Sequence, residues 1–203
     1  MITVVDYGVG NLFSLTASLD YLGQKSTITG DGSVIGMADK LILPGVGAFS
    51  DAMKSLTDHG LVCVLEEAVK KGTPLLGICL GMQLLFEESW EFGFHKGLGF
   101  LPGKVCPLRD DVSDGLKIPH IGWNSLKIYD ENEPMLKYTR DGEHVYYVHS
   151  FYAKGCGGCV KAASEYGVMV PGLVRRGNVW GAQFHPEKSG EVGLKMLKAF
   201  CEI

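Results

Sequence analysis

The 203-residue chain has no apolar run long enough to cross a bilayer. Its most apolar stretch, Pro74 to Phe86, falls well short of the ~18 residues a membrane helix needs and is interrupted by Gly77, Gly81 and Gln83. The chain does not open on a basic segment followed by an apolar core; Met1-Ile2-Thr3-Val4-Val5-Asp6 reads straight into a buried strand, and no secretory leader is expected. Positive charge is not in excess. With 19 Lys and Arg against 23 Asp and Glu, the net charge of −4 offers no footprint for nucleic acid. Proline is sparse, 8 residues that do not cluster, and the 28 glycines keep no three-residue period, which excludes collagen-like and low-complexity chains. A second CxxC or a nearby pair of histidines, as structural zinc would need, is also missing. Cys156-Gly157-Gly158-Cys159 therefore reads as a glycine turn between strands, and the six cysteines as free thiols. Together these absences predict a cytosolic protein with no metal, no cofactor, no membrane and no nucleic acid among its partners.

What is present is a core. A hydrophobic fraction of 46% suffices for one, and the length corresponds to about one domain at ~150 residues each, expected here over 1–203 without linker or repeat. The first hundred residues alternate apolar runs with amphipathic ones, the pattern of a parallel sheet covered by helices. Strands are predicted at Ile2–Asp6, Lys25–Ile28, Leu41–Leu43 and Leu75–Cys79, and helices at Asn11–Leu22, Ala48–Thr57, Leu61–Lys71 and Leu80–Glu88. After Gly103 the pattern turns β-rich: Ile118–Ile121, Leu126–Ile128, Val145–Ala153, Val160–Ser164, Met169–Arg175 and Val179–Phe184, expected to extend the same sheet. An amphipathic helix, Ser189–Cys201, closes the chain.

The strongest local signal is Gly77-Ile78-Cys79-Leu80-Gly81, a nucleophile-type residue between a buried strand and a helix with glycine two positions to either side. Such a strand-to-helix elbow lifts the side chain above the sheet and needs small neighbours. A helix N-terminus also favours thiolate. A buried cysteine serving as a small hydrophobe fits the same run. A nucleophile needs a base and a group to orient that base. His59, His95 and His144 lie in polar contexts, whereas His185 ends the apolar strand Val179–Phe184, and ligands bind at the carboxyl ends of such strands. Glu187 follows two residues on, placed to accept a hydrogen bond from the other ring nitrogen. A plain strand-ending turn reads equally well from His185-Pro186-Glu187 alone.

Taken together, Gly-Ile-Cys-Leu-Gly-Met-Gln from Gly77 and Phe-His-Pro-Glu from Phe184 resemble the class I, or triad, glutamine amidotransferases. Asp6-Tyr7-Gly8-Val9-Gly10-Asn11-Leu12, Leu43-Pro44-Gly45-Val46-Gly47, Pro119-His120-Ile121-Gly122-Trp123-Asn124, Tyr146-Tyr147-Val148-His149-Ser150-Phe151-Tyr152 and His185-Pro186-Glu187-Lys188-Ser189-Gly190 are similar to one branch of that family. That branch serves imidazole glycerol phosphate synthase in histidine biosynthesis. The resemblance covers nearly the whole chain, and no triad residue departs from it. It implies a flavodoxin-like α/β fold, with an open, mixed but mostly parallel sheet and helices on both faces. It implies a Cys79, His185, Glu187 triad that hydrolyses L-glutamine through a thioester. An oxyanion site would use the amides of Leu80, Val46 and Gly47, and Gly45, Gln83, Ser150 and Phe151 would hold the substrate. The implied partner is a (β/α)₈-barrel cyclase subunit, joined in a heterodimer through Asn11, Trp123, Asn124 and Tyr146, into which ammonia passes. Other readings of the chain are a glutaminase for another synthase, such as the one making pyridoxal phosphate, and a flavodoxin-like module cradling phosphate on Gly8-Val9-Gly10-Asn11.

Overall fold

In a computed structural model, which describes residues 1–203, the chain forms fourteen strands and six α-helices. In chain order these are β1 (Ile2–Val5), α1 (Leu12–Tyr21), β2 (Ser26–Thr29), α2 (Gly32–Ile35), β3 (Lys40–Leu43), α3 (Phe49–Asp58), α4 (Leu61–Lys70), β4 (Leu75–Ile78) and α5 (Leu80–Leu84). There follow β5 (Phe86–Ser89), β6 (His95–Lys96), β7 (Leu101–Pro107), β8 (His120–Ser125), β9 (Lys127–Ile128), β10 (His144–His149), β11 (Phe151–Lys154), β12 (Val160–Glu165), β13 (Met169–Arg176), β14 (Val179–Ala182) and α6 (Gly190–Cys201).

The main sheet runs β2-β1-β3-β4-β14-β13-β12-β9. From β2 to β14 the neighbours are parallel, and β13, β12 and β9 extend the sheet antiparallel. The parallel strands are buried on both faces, which is why they read as continuous apolar runs. Ile2, Val4, Ile42, Leu76 and Trp180 pack against α1 and α6, whereas Val5, Leu41, Leu43, Leu75 and Val179 pack against α3, α4 and α5. The α/β architecture with helices on both faces is thus as expected.

Two expectations fail. The predicted helix Leu80–Glu88 ends at Leu84, and Phe86–Ser89 is a strand. The amides of Leu98, Gly99 and Leu101 take the carbonyls of Leu84, Phe86 and Leu85, so the backbone that would prolong the helix is captured by a segment fifteen residues downstream. The β-rich half does not all join the main sheet either: β11, β7, β5 and β6 form a second sheet, and β8 pairs with β10 alone. The run predicted as one strand, Val145–Ala153, breaks at Ser150, whose carbonyl accepts from Leu108 N–H at 2.9 Å, so its halves serve different sheets.

The passage from β4 into α5 is the most crowded point. Cys79 adopts φ 54° and ψ −110°, a conformation that costs about 1–3 kcal/mol for a residue with a Cβ. A Cβ on Gly77 would meet the Gly81 carbonyl oxygen at 2.6 Å, and one on Gly81 would meet the Leu43 carbonyl oxygen at 1.9 Å. Neither partner is a movable side chain. Gly81→Ala is therefore expected to destabilise the protein by about 3 kcal/mol, at the upper end of overpacking costs, read as a lower urea midpoint with unchanged slope.

Candidate active site

Strands β4 and β14 are parallel neighbours with Ile78 opposite Ala182, so Cys79 and the segment leading to His185 leave the sheet together at its carboxyl edge. Cys79 is anchored through its backbone, the N–H donating to Ala182 O at 2.7 Å. His185 is also anchored through its backbone: its N–H donates to Tyr146 O at 2.9 Å, and its carbonyl accepts from Ser189 Oγ at 2.6 Å. The same Ser189 Oγ accepts from Tyr146 N–H at 2.9 Å. One hydroxyl thereby ties the His185–Ser189 turn to β10. Gly193 lets α6 close against that turn, since a Cβ there would meet Pro186 O at 1.9 Å.

Within this frame His185 Nδ1 bonds Glu187 Oε1 at 2.7 Å, both side chains being buried. Burial alone would push the imidazole down, but the neighbouring Cys79 sulfur and Glu187 carboxylate outweigh it and hold His185 up at about 9. At neutral pH the ring is therefore a cation beside the sulfur. It can neutralise negative charge that develops on the sulfur and can give a proton to whatever leaves. Because α5 has only five residues, this ring rather than a long helix dipole is the main positive charge at the sulfur.

A cavity of about 400 Å³ opens over the two residues. Its walls bring together Cys79, His185, Val46, Gly47, Leu80, Gln83, Ser150 and Phe151, residues from four separate stretches of sequence. Val46 and Gly47 N–H have no acceptor within the chain, and Leu80 stands in the first turn of α5, where N–H groups lack intrahelical acceptors. Gly45 is placed elsewhere: a Cβ on it would meet Gly81 N at 2.7 Å, Tyr7 Oη at 2.8 Å and Leu80 Cβ at 3.0 Å, and with Asn11 it lines a separate crevice of about 10 Å³ next to Glu187. The four residues singled out as a contact surface do not form one patch. Trp123 is 56% exposed and meets Tyr146 edge-on at 6.0 Å, but Asn124, next to Trp123 in β8, faces the other way and donates to Glu165 O at 2.8 Å. Alternation along a strand forces that separation. Asn11 caps α1, accepting from Ser14 N–H.

Three site residues escaped the sequence reading. Gln183 is fully buried, accepts from Gln83 Nε2 at 3.0 Å and donates to Cys79 Sγ at 3.9 Å. An amide inside the apolar run Val179–Phe184 was the available signal. Glu91, on the cavity wall, is buried, which raises its carboxyl above the usual range, and Oε2 accepts from Phe49 N–H at 2.7 Å. His149 lines the same cavity. Nothing local in the sequence marks Glu91, whereas His149 stands within the run Tyr146–Tyr152 and only its role is unmarked. Chemically, the cavity offers a sulfur nucleophile, a charged acid–base partner and a buried carboxylate, a set suited to an amide carried on an amino-acid tail.

Because the folded-state value of His185 lies above the unfolded 6.5, its contribution to stability is complete below pH 6.5 and disappears as pH rises through about 9. An NMR titration of the ring is expected to show a midpoint near 9. In Glu187→Gln, which deletes a charge that holds the proton on, the midpoint moves down. An unmoved midpoint would show that the carboxylate does not set the ring's charge.

A family model for class I glutamine amidotransferases matches residues 3–203. The chain is 48% identical over 203 residues to the imidazole glycerol phosphate synthase subunit HisH of Listeria monocytogenes, covering 100% of this chain and 96% of that protein. It is 53% identical over 201 residues to the HisH subunit of Bacillus mycoides, covering 98% and 93%. Among solved structures, PurLQS from Thermotoga maritima superposes with a TM-score of 0.76 at 21% identity, covering 99% of this chain and 97% of that one. The glutaminase domain of Trypanosoma brucei CTPS with bound acivicin gives 0.68 at 15% identity, covering 99% and 93%, a likeness of fold. The chain belongs to the class I glutamine amidotransferases.

Proposed function

We propose that the chain is the glutaminase subunit of imidazole glycerol phosphate synthase, hydrolysing L-glutamine and passing the ammonia to a (β/α)₈-barrel cyclase subunit. The observation that carries the chemistry is the buried His185–Glu187 pair beside Cys79 at the mouth of two parallel strands. Full-length identity of about half to HisH proteins supports the choice of synthase. No helix of the structure is long and apolar enough to cross a membrane. A biosynthetic role of this kind belongs in the cytoplasm.

The Cys79 thiolate attacks the carboxamide carbon of glutamine, and the carbonyl π electrons move to oxygen. That oxyanion is held by the Leu80 N–H and by an amide from Val46-Gly47, each such donor being worth about 10²–10³ in rate. His185 gives its proton to the departing nitrogen, ammonia leaves, and a thioester remains. The ring, now neutral, takes a proton from water, whose oxygen attacks the thioester; collapse releases glutamate and restores the thiolate–imidazolium pair. Glu187 fixes the ring orientation throughout. At the other end of the cavity Glu91 meets the substrate ammonium, and Gln83 with the Ser150-Phe151 backbone meets the remaining polar groups.

The cyclase docks on the face carrying Trp123 and Tyr146, beside the His185–Gly190 turn. The Trp123 ring approaches Gly190, where a Cβ would lie 3.8 Å from its edge, so a partner pressing on the indole also presses on the catalytic turn.

Cys79→Ala is expected to abolish glutamine-dependent synthesis in the assembled complex while synthesis from added ammonium salts continues at the parent rate. Loss of both, or support of pyridoxal phosphate synthase instead, would assign the chain elsewhere. Trp123→Ala is expected to weaken the complex by about 2 kcal/mol, roughly thirtyfold in Kd by calorimetry, or to leave glutamine hydrolysis in excess of product formed. Normal binding with unchanged stoichiometry would remove Trp123 from the interface.

A further inference from the structure

His149 on the cavity wall and His120 behind it are both buried and bonded to each other, Nδ1 of His120 to Nε2 of His149 at 3.0 Å. The His120 ring lies stacked between Tyr147 and Tyr166, with centroids at 4.7 and 3.9 Å. The hydrolysis outlined above uses neither ring. The position of every proton in the pair follows from one carbonyl. His149 Nδ1 is 2.9 Å from Phe151 O, which only accepts, so His149 carries its proton on Nδ1. Burial, the His120 ring and the charge of His185 push His149 down to about 3 against the pull of that carbonyl, and burial pushes His120 down to about 4. Both rings are neutral at pH 7. Nε2 of His149 must then accept, His120 must donate from Nδ1, and Nε2 of His120 is left to accept from Asn124 Nδ2, 3.4 Å away. The Asn124 amide is itself oriented, its Oδ1 accepting from Ser125 N–H at 2.9 Å and its Nδ2 donating to Glu165 O.

The chain of bonds continues on the cavity side. Phe151 O accepts a second bond, from Gln83 Nε2 at 2.9 Å, and the other hydrogen of that amide goes to Gln183 Oε1 at 3.0 Å. Gln183 Nε2 then points at Cys79 Sγ, 3.9 Å away. Donors and acceptors alternate without conflict from β8 to the Cys79 sulfur. Buried networks of this kind hold a geometry only while every member is satisfied.

We propose that His120, His149 and Gln183 are positioning residues, a hydrogen-bonded chain that fixes the Phe151 wall and the Cys79 sulfur relative to each other and anchors both to strand β8. The inference rests on the reading of Cys79 as the nucleophile and of this cavity as the glutamine site. Retained ammonia-dependent synthesis in Cys79→Ala tests that reading separately. His120 does not itself line the cavity, whereas its neighbour Pro119 does, so an effect carried by the chain of bonds is told from a local backbone shift by its recovery in His120→Asn.

In the complex with the cyclase subunit, His120→Phe keeps the stacked ring and removes both bonds. It is expected to raise KM for glutamine about tenfold, the effect of losing one well-placed bond, with ammonia-dependent synthesis within twofold of the parent. His120→Asn, whose amide returns a donor toward His149, is expected to recover most of the loss. Unchanged KM in His120→Phe, or a loss that His120→Asn does not recover, would overturn the proposal. The parent protein gives a reading independent of any variant's folding. In ¹⁵N NMR at pH 7 both rings are expected as the neutral Nδ1–H tautomer, and their resonances are expected to shift when Cys79 is alkylated by a glutamine-like chloroketone. An Nε2–H tautomer at either ring, or resonances indifferent to the alkylation, would refute the chain of bonds.

Discussion

The structure turns on one strained residue. Cys79 sits at positive φ between a strand and a helix, and it stays there because the backbone of β4 and α5 is wedged against β3, with the Leu43 carbonyl filling the space a side chain at Gly81 would occupy. Relaxing the strain would require α5 to lift off the sheet and expose Met82, Leu84 and Leu85, all fully buried. At about 1.5–3 kcal/mol for each large side chain, that burial exceeds the strain it maintains. The sulfur is thereby presented above the sheet without a loop that must find it.

Histidines in two different settings show how environment assigns roles to identical side chains. His185 and His149 are both buried on the wall of the same cavity, and burial opposes the charge on each. His185 has a carboxylate on Nδ1 and a sulfur nearby, so it keeps its proton up to about 9. His149 has a carbonyl and another imidazole, and it remains neutral down to about 3. The first ring is equipped to transfer protons and the second only to hold its neighbours. The Cys79 sulfur and the Glu187 carboxylate, which act on His185 and not on His149, make the difference.

Much of this is legible in the sequence. The apolar runs of β1, β3, β4 and β14 mark strands buried on both faces, and Gly77 and Gly81 around Cys79 mark a crowded turn, because in each case a local steric or burial requirement writes itself into adjacent residues. The ends of elements were less readable. Helix α5 stops where it does because β7 and the turn before it claim its carbonyls, and Val145–Ala153 splits because Leu108 claims the Ser150 carbonyl. These competitors lie many residues away, and no pattern within the element reports them.

For the site, sequence alone determined which residue types stand at the ends of which strands: a thiol after β4, and an imidazole with a carboxylate two positions on after β14. Only the tertiary structure decided that β4 and β14 are neighbours, that Gly45 supports the elbow from beneath instead of lining the cavity, and that Trp123 and Asn124 face opposite ways. It alone brings Glu91 to the cavity and Gln183 to the Cys79 sulfur. The physical reason is the range of the forces involved. Chain stiffness and steric exclusion act between adjacent residues and can be read in order, whereas burial, charge and hydrogen bonding act between groups that are close only once the chain has folded.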